Sequence, residues 1–360
     1  MREVAVIGAG VIGAGTAWYL AGQGHQVTLI DPYLSEPIQR AGVISGTTAS
    51  LGVLMGNVFR RSSGRAWKLR QRSMALWPSW INALHTQKHP LKLHSPLMQL
   101  AKSEAEASRM QELAEHRAPL GLERSPPNSI KVQGLCLPKN KFGGLISHHD
   151  GRVDPLALQE CLRAALPKRS VKAIQESVLR VERRASTSPK RWRLHLASGT
   201  HLDQHTIVIS AALGSEALLQ PLGHCRPLEP ILGQVLELEV ESESNNWAGW
   251  PGVLVSHGFN LIPRDRNHLW IGATLEPGEQ PDSASLKKMH TLEGDAPNWL
   301  KSASVSNHWH GLRGKPIDRP APLLETLEPG LILATGHYRN GVLLAPATAE
   351  WVGEQLKTSS

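Results

Sequence analysis

Residues 4–13 read Val4-Ala5-Val6-Ile7-Gly8-Ala9-Gly10-Val11-Ile12-Gly13, and one helix length later the chain reaches Val27-Thr28-Leu29-Ile30-Asp31. The apolar run is short, β-branched and bounded by glycine, which predicts a buried parallel strand. Gly8 permits a tight turn, Gly10 leaves room for a pyrophosphate against the backbone, and Gly13 lets the next helix lie close to the strand. That helix starts with unpaired N–H groups and the positive end of its dipole aimed at the phosphates. Ala14, Ala17 and Ala21 give it a flat packing side, and Gly22 with Gly24 ends it. Asp31 closes the second strand roughly twenty residues after the loop, where a carboxylate accepts hydrogen bonds from an adenosine ribose. An acid here with no arginine beside it argues against a 2′-phosphate. Strand, glycine triplet, small-faced helix, strand and acid, in that order, predict a βαβ unit holding a dinucleotide.

The 360 residues suffice for two domains or one elaborate one. A hydrophobic fraction of 41% and a charged fraction of 19% are ordinary for a soluble globular protein. No run approaches the length of about eighteen apolar residues that a membrane span needs. The first strand begins almost at once, so a cytoplasmic protein without a leader is expected. Cys136, Cys161 and Cys225 lie far apart without metal-ligand spacing, which fits free thiols in a reducing compartment and predicts no metal site. The net charge of +8 concentrates at Arg60, Arg61, Arg65, Lys68, Arg70 and Arg72. With no nucleic-acid module nearby, this run is read as a solvated helix face, with an arginine or two near a phosphate or substrate mouth.

Gly42 to Gly52 is a small-residue loop able to approach a ligand closely, followed by a helix from about Gly64 to Ala83 and a Pro/His-rich crossing from Lys88 to Pro96. Ser103 and Glu106 form a capping box for a helix to about Arg117. Asp154-Pro155 starts another, with Leu158, Cys161, Leu162 and Ala165 on its apolar face. Strands are expected at Val171 to Val181, Trp192 to Ala197 and Thr206 to Ala211. From Pro227 the chain alternates, as in Gln234 to Val240, and continues through strands near Val253, Asn260 and Leu269. The last sixty residues hold His310-Gly311-Leu312-Arg313, a buried strand Gly330 to Thr335, and Gly336-His337-Tyr338-Arg339-Asn340-Gly341-Val342, with a helix from about Leu344. A strand, a glycine turn and a helix thus recur at the C-terminus, as a large two-headed cofactor would need.

These segments resemble the D-amino-acid-oxidase superfamily of flavoproteins, and most of all the glycine oxidases of thiamine biosynthesis. The resemblance runs over almost the full length. It rests on the N-terminal loop, residues 46–54, Asp150-Gly151-Arg152-Val153-Asp154-Pro155, Gly233-Gln234, Gly272-Ala273-Thr274, Gly311-Leu312-Arg313 and, most diagnostically, Gly336 to Pro346. It implies an α/β fold with an FAD-binding Rossmann-like domain of the glutathione-reductase type and an α+β substrate domain built on a mainly antiparallel sheet. Residues 1–85, 145–225 and 310–360 would form the first, and 86–144 with 226–309 the second. It also implies non-covalent FAD, since no cysteine follows Cys225 to anchor the flavin.

By the same resemblance Gly8, Gly10, Val11, Ile12 and Gly13 carry the pyrophosphate and Asp31 the ribose. Thr47, Thr48, Ala49, Ser50 and Gly52 line the flavin, and the backbone of Val178 touches the adenine side. Ala211 ends a strand beside the cofactor, and Gly336, His337, Tyr338, Arg339, Asn340, Gly341 and Val342 run along the isoalloxazine edge. Arg313 matches the arginine that pairs with a substrate carboxylate, to which a guanidinium fork is suited, and Arg339 a second active-site arginine. Asn260 stands where the family has a tyrosine whose hydroxyl assists that carboxylate, and is expected to donate from its amide. Leu275 stands where some relatives carry methionine, Gly314 replaces the usual proline, and Ala212 and Gly214 replace a glycine and a tryptophan. His257 and His337 are candidates for proton handling, with packing beside the pocket the expected role of each.

The implied activity is oxidation of glycine, sarcosine or small D-amino acids to an imine and then an oxoacid and ammonia, with oxygen as acceptor and peroxide as product, in a homo-oligomer. A dehydrogenase with another acceptor and a non-catalytic flavoprotein or basic binding module are the alternatives. A nicotinamide enzyme would have no use for the C-terminal glycine motif.

Overall fold

The computed structural model describes residues 2–40, 45–128, 132–185, 190–241 and 246–358. Residues 42–44 of the small-residue loop therefore lie outside the described residues.

The N-terminal strand Glu3–Ile7 is central to a six-stranded sheet. Across it the order is Leu323–Glu328, Leu331–Thr335, Thr206–Ile209, Glu3–Ile7, Gln26–Ile30 and Lys172–Ile174. All neighbours run parallel except the outermost Leu323–Glu328. The inner strands are buried on both faces, which is why they read as unbroken apolar runs. Helix Val11–Gly22 returns the chain from the first strand to the second and packs on the C-terminal helix Gly341–Thr358, burying Ala14 and Ala17.

A second, nine-stranded sheet contains one parallel pair, Val253–Ser256 beside Leu97–Leu100. Its other pairings are antiparallel, and its longest partners are Leu228–Glu239 and Ser304–Pro316. Alternation divides its side chains. Val235, Ile262, Trp270 and Trp309 face Ala49 and Leu51, while Leu236, Leu238, Leu254, Leu261, Leu269 and Ile271 lie under Met289, Leu292 and Leu300. Each fully buried leucine or isoleucine contributes about 2 kcal/mol by leaving water. This is the expected α/β fold, a Rossmann-like domain joined to a mainly antiparallel sheet.

Several local readings change. The single strand expected from Val171 to Val181 is two, because the chain turns a corner at residues 175–177. Lys172–Ile174 joins the parallel sheet, and Val178–Arg183 pairs with Trp192–Leu196 in a separate three-stranded sheet. The strand expected to reach Ala211 stops at Ile209, and Ala211 leads into a 3-10 turn where Ala212 has φ 48°. The C-terminal helix starts at Gly341 rather than Leu344 and runs through Pro346. The proline has no N–H to give to Val342 O, and the next turn is opened as well: Leu343 O accepts from Ser73 Oγ and Trp77 Nε1 of helix Gly64–Leu84, and Ala347 N donates to Ser73 Oγ. Residue 310, offered as a domain boundary, lies inside Ser304–Pro316, which pairs with Leu228–Glu239 along its whole length.

The basic run is not uniformly solvated. Lys68 is exposed and Arg72 pairs with Glu350, but Arg70 is buried with its guanidinium 3.8 Å from the Phe59 ring centroid, and Arg65 donates to Leu324 O. Asp150 is fully buried, and its carboxylate accepts from the N–H groups of Gly56, Asn57 and Val58. That tie fixes the segment after the small-residue loop, and the sequence assigns the aspartate no such role.

Candidate active site

The glycine loop forms because three backbones crowd together. A Cβ on Gly13 would stand 1.8 Å from Gly8 O, and one on Gly8, at φ 100°, would stand 2.6 Å from Ser210 O and 3.0 Å from Ala211 Cα. Gly10 precedes the helix and supplies no side-chain cap, and the first turn carries no acid. Of the N–H groups there, Val11 donates to Thr47 Oγ1 at 3.0 Å. Asp31 accepts from Ala9 N at 2.7 Å and Tyr33 N at 2.8 Å, so its carboxylate is held at the loop with further lone pairs to offer. Asp31 N donates to Ile174 O, which brings the corner leading to Val178 to the ribose end. An uncapped helix start, a glycine with room above it and a fixed carboxylate fit the pyrophosphate and ribose of FAD.

The short helix Gly46–Ala49, capped by Ser45, carries Thr47 and Thr48 and joins this loop to the antiparallel sheet. Gly311 lets it sit directly on strand Ser304–Pro316, since a Cβ there would come 2.3 Å from Ala49 Cβ, and Trp309 Nε1 donates to Ala49 O. Ser50 Oγ donates to Thr47 O, and Gly52 O accepts from Val153 N at 3.0 Å where the chain enters the pair Val53–Leu54 with Gly151–Arg152.

Two residues beyond Gly311, Arg313 folds back over Gly233, where a Cβ would stand 2.0 Å from Nη2. Its Nη1 donates to Leu232 O and Thr274 O, both at 3.2 Å. No carboxylate pairs with it among the described residues. Burial, and then the neighbouring Arg339 guanidinium, lower its pKa to about 10, so it stays a cation at neutral pH. Thr274 is held in turn by Gln234, whose N–H donates to Thr274 Oγ1 and whose amide bonds the buried Glu276. Thr274 and Gln234 were legible only as family motifs, without roles.

Asn260 lies on the same sheet face, opposite Gly272. Its Nδ2 donates to Gly272 O at 3.0 Å and its Oδ1 is buried without a partner. The amide expected to serve a carboxylate therefore has one N–H already committed.

Gly336 to Val342 reaches this place from the other end of the chain, with Tyr338, Arg339 and Asn340 in a 3-10 turn before helix Gly341–Thr358. Arg339 is exposed and forms no ion pair among the described residues. His337 points inward, its Nε2 2.9 Å from Thr348 Oγ1, so contact with a cofactor falls to its backbone. His257 lies between Glu293 and Asp295.

Burial above all, helped by Arg65, lowers the pKa of His337 to about 3, so it is neutral when folded. The unfolded chain binds this proton more readily between about pH 6.5 and 3, so stability is complete above that window and declines as pH falls through it. The loss should reach about 2 kcal/mol at pH 5. Denaturant titrations at pH 7.5 and 5 should show a loss smaller by about that amount in His337→Gln than in the wild type, the remainder including the part due to His94, whose pKa burial lowers to about 4.

Comparison with known proteins agrees with this geometry. A family model described as DAO, FAD dependent oxidoreductase, matches residues 3–355. The glycine oxidase of Bacillus licheniformis is 24% identical over 98% of this chain and 92% of its own length. The bifunctional protein ThiO/ThiG of Nostoc is 28% identical over 98% of this chain, which spans about half of that relative, 52%. The crystal structure of glycine oxidase from Geobacillus kaustophilus superposes with a TM-score of 0.83 at 22% identity, covering 99% of this chain and 95% of that one. No helix among the described residues is long and apolar enough to cross a membrane. The chain belongs to the DAO family of FAD dependent oxidoreductases, and its cofactor is FAD.

Proposed function

We propose that the protein oxidises a small amino acid, with glycine, sarcosine and small D-amino acids as the substrate class, and passes the electrons to oxygen. The observation that carries this is Arg313: a part-buried guanidinium, steadied by two carbonyls, beside Arg339 and with no carboxylate paired to it among the described residues. A substrate carboxylate supplies the missing partner through charge-assisted hydrogen bonds. FAD, held at the Gly8 to Gly13 loop and Asp31, would supply hydride-accepting chemistry at the substrate α-carbon. The substrate nitrogen must be neutral at that moment, and the two guanidinium charges disfavour its ammonium form. No side-chain base is then required, which suits His337, neutral and bound to Thr348. The remaining Nδ2–H of Asn260 is available to the substrate. Catalysis by these residues is orientation and exclusion of water. The imine released to water becomes the oxoacid and ammonia, or methylamine where sarcosine is the substrate.

Anaerobic addition of glycine, sarcosine or D-alanine to the purified holoprotein should bleach the flavin. A flavin that stays yellow with all three overturns the reading. Turnover with oxygen set against turnover with an artificial acceptor distinguishes oxidase from dehydrogenase.

A further inference from the structure

A second cluster of positive charge lies between the pair Val53–Leu54 with Gly151–Arg152 and the antiparallel sheet. Arg152 is only 2% exposed. Its Nη2 donates to Pro263 O at 3.2 Å, while Nε and Nη1 are buried and have no acceptor among the described residues. Two further guanidiniums stack on the Trp270 ring, Arg264 at 3.6 Å and Arg40 at 3.9 Å from its centroid, with Arg152 at 6.0 Å.

The carboxylates facing this cluster are committed. Asp154 pairs with Arg264 at 2.6 Å and caps helix Pro155–Ala165, and Glu237 accepts from Trp270 Nε1. His94, the remaining titratable group against Arg152, is kept neutral by burial first and then by Arg152 itself, with its pKa lowered to about 4. Three guanidiniums thus face two carboxylates among the described residues. A buried charged donor left unpaired is strongly destabilising. Water could complete the hydrogen bonds but would leave the extra charge uncompensated.

We propose that Arg152 holds a small monovalent anion, of about the size of chloride, against its unpartnered donors. The anion acts as a structural ligand. It neutralises the excess charge and fastens the strand pair that follows the flavin-lining loop to Pro263 in the antiparallel sheet.

The test compares the melting temperature of the holoprotein in sodium chloride, bromide and gluconate at equal ionic strength, for wild type and Arg152→Met. The halides should raise the wild-type melting temperature by several degrees over gluconate, and Arg152→Met should melt at the same temperature in all three. Crystals grown in bromide should show an anomalous peak within about 3.5 Å of Nε or Nη1. If Arg152→Met does not fold, that peak alone decides. Absence of bromide at Arg152, or a halide response that survives in a folded Arg152→Met, overturns the proposal.

Discussion

Replacing Arg313 by alanine should lower kcat/KM for glycine about a thousandfold, mostly through KM, with the flavin spectrum and FAD content unchanged. The size follows from removing a charge-assisted pair worth about 4 kcal/mol at about 1.4 kcal/mol per decade. The separation of KM from the spectrum follows from position. Arg313 bonds Leu232 O and Thr274 O on the sheet, whereas the residues expected to hold the pyrophosphate surround Gly8 and Gly13. Arg313→Lys should recover only part of the loss, since one ammonium cannot hold both carbonyls and a carboxylate in the plane of a fork. Gly233→Ala offers an independent check. Its new Cβ would stand 2.0 Å from Nη2, so it should raise KM without removing the charge. A KM for Arg313→Ala within threefold of wild type would take the residue out of the substrate site.

What could be read from the sequence follows a physical division. The glycine loop and its helix were legible because strand, turn, dipole and carboxylate are set by residues within about thirty positions of one another, and the structure repeats them almost unchanged. Asp154 capping Pro155–Ala165 and Ser103 capping Glu104–His116 were legible for the same reason. Contacts made across sheets were not. Arg40, Arg264, Trp270 and Trp309 stack although more than two hundred residues separate the first from the others, and no local pattern marks them as partners. Arg70 looked like one more surface cation because the Phe59 ring that covers it lies outside its helix. The corner at residues 175–177 was missed because both flanking strands carry similar alternation, and only the partner strands tell them apart. Arg313 and Arg339 came from motif resemblance alone. That neither pairs with a carboxylate among the described residues is a fact of three dimensions.

The glycine triplet itself provides the sharpest contrast, because its members should fail differently. In Gly13→Ala the new Cβ would meet Gly8 O at 1.8 Å and Ser210 Oγ at 2.6 Å, and the first of these is backbone that cannot rotate away. Helix Val11–Gly22 would have to lift from the sheet and from the C-terminal helix it packs against. The expected result is a protein destabilised by more than about 3 kcal/mol, isolated without flavin and with an early denaturant midpoint even before FAD is considered. In Gly10→Ala the nearest atom is Thr47 Oγ1 at 3.3 Å, a hydroxyl on a side chain, and the backbone there is extended, so the apoprotein should fold with nearly wild-type stability. Its Cβ instead occupies space expected to belong to the pyrophosphate, and FAD affinity should fall about a hundredfold, the loss of about 3 kcal/mol of contact. Denaturant midpoints of the two apoproteins, read beside their FAD titrations, separate the roles. Equal stability of the two variants would mean that Gly13 is no closer to its neighbours than Gly10, and tight FAD binding by Gly10→Ala would move the phosphates away from this loop.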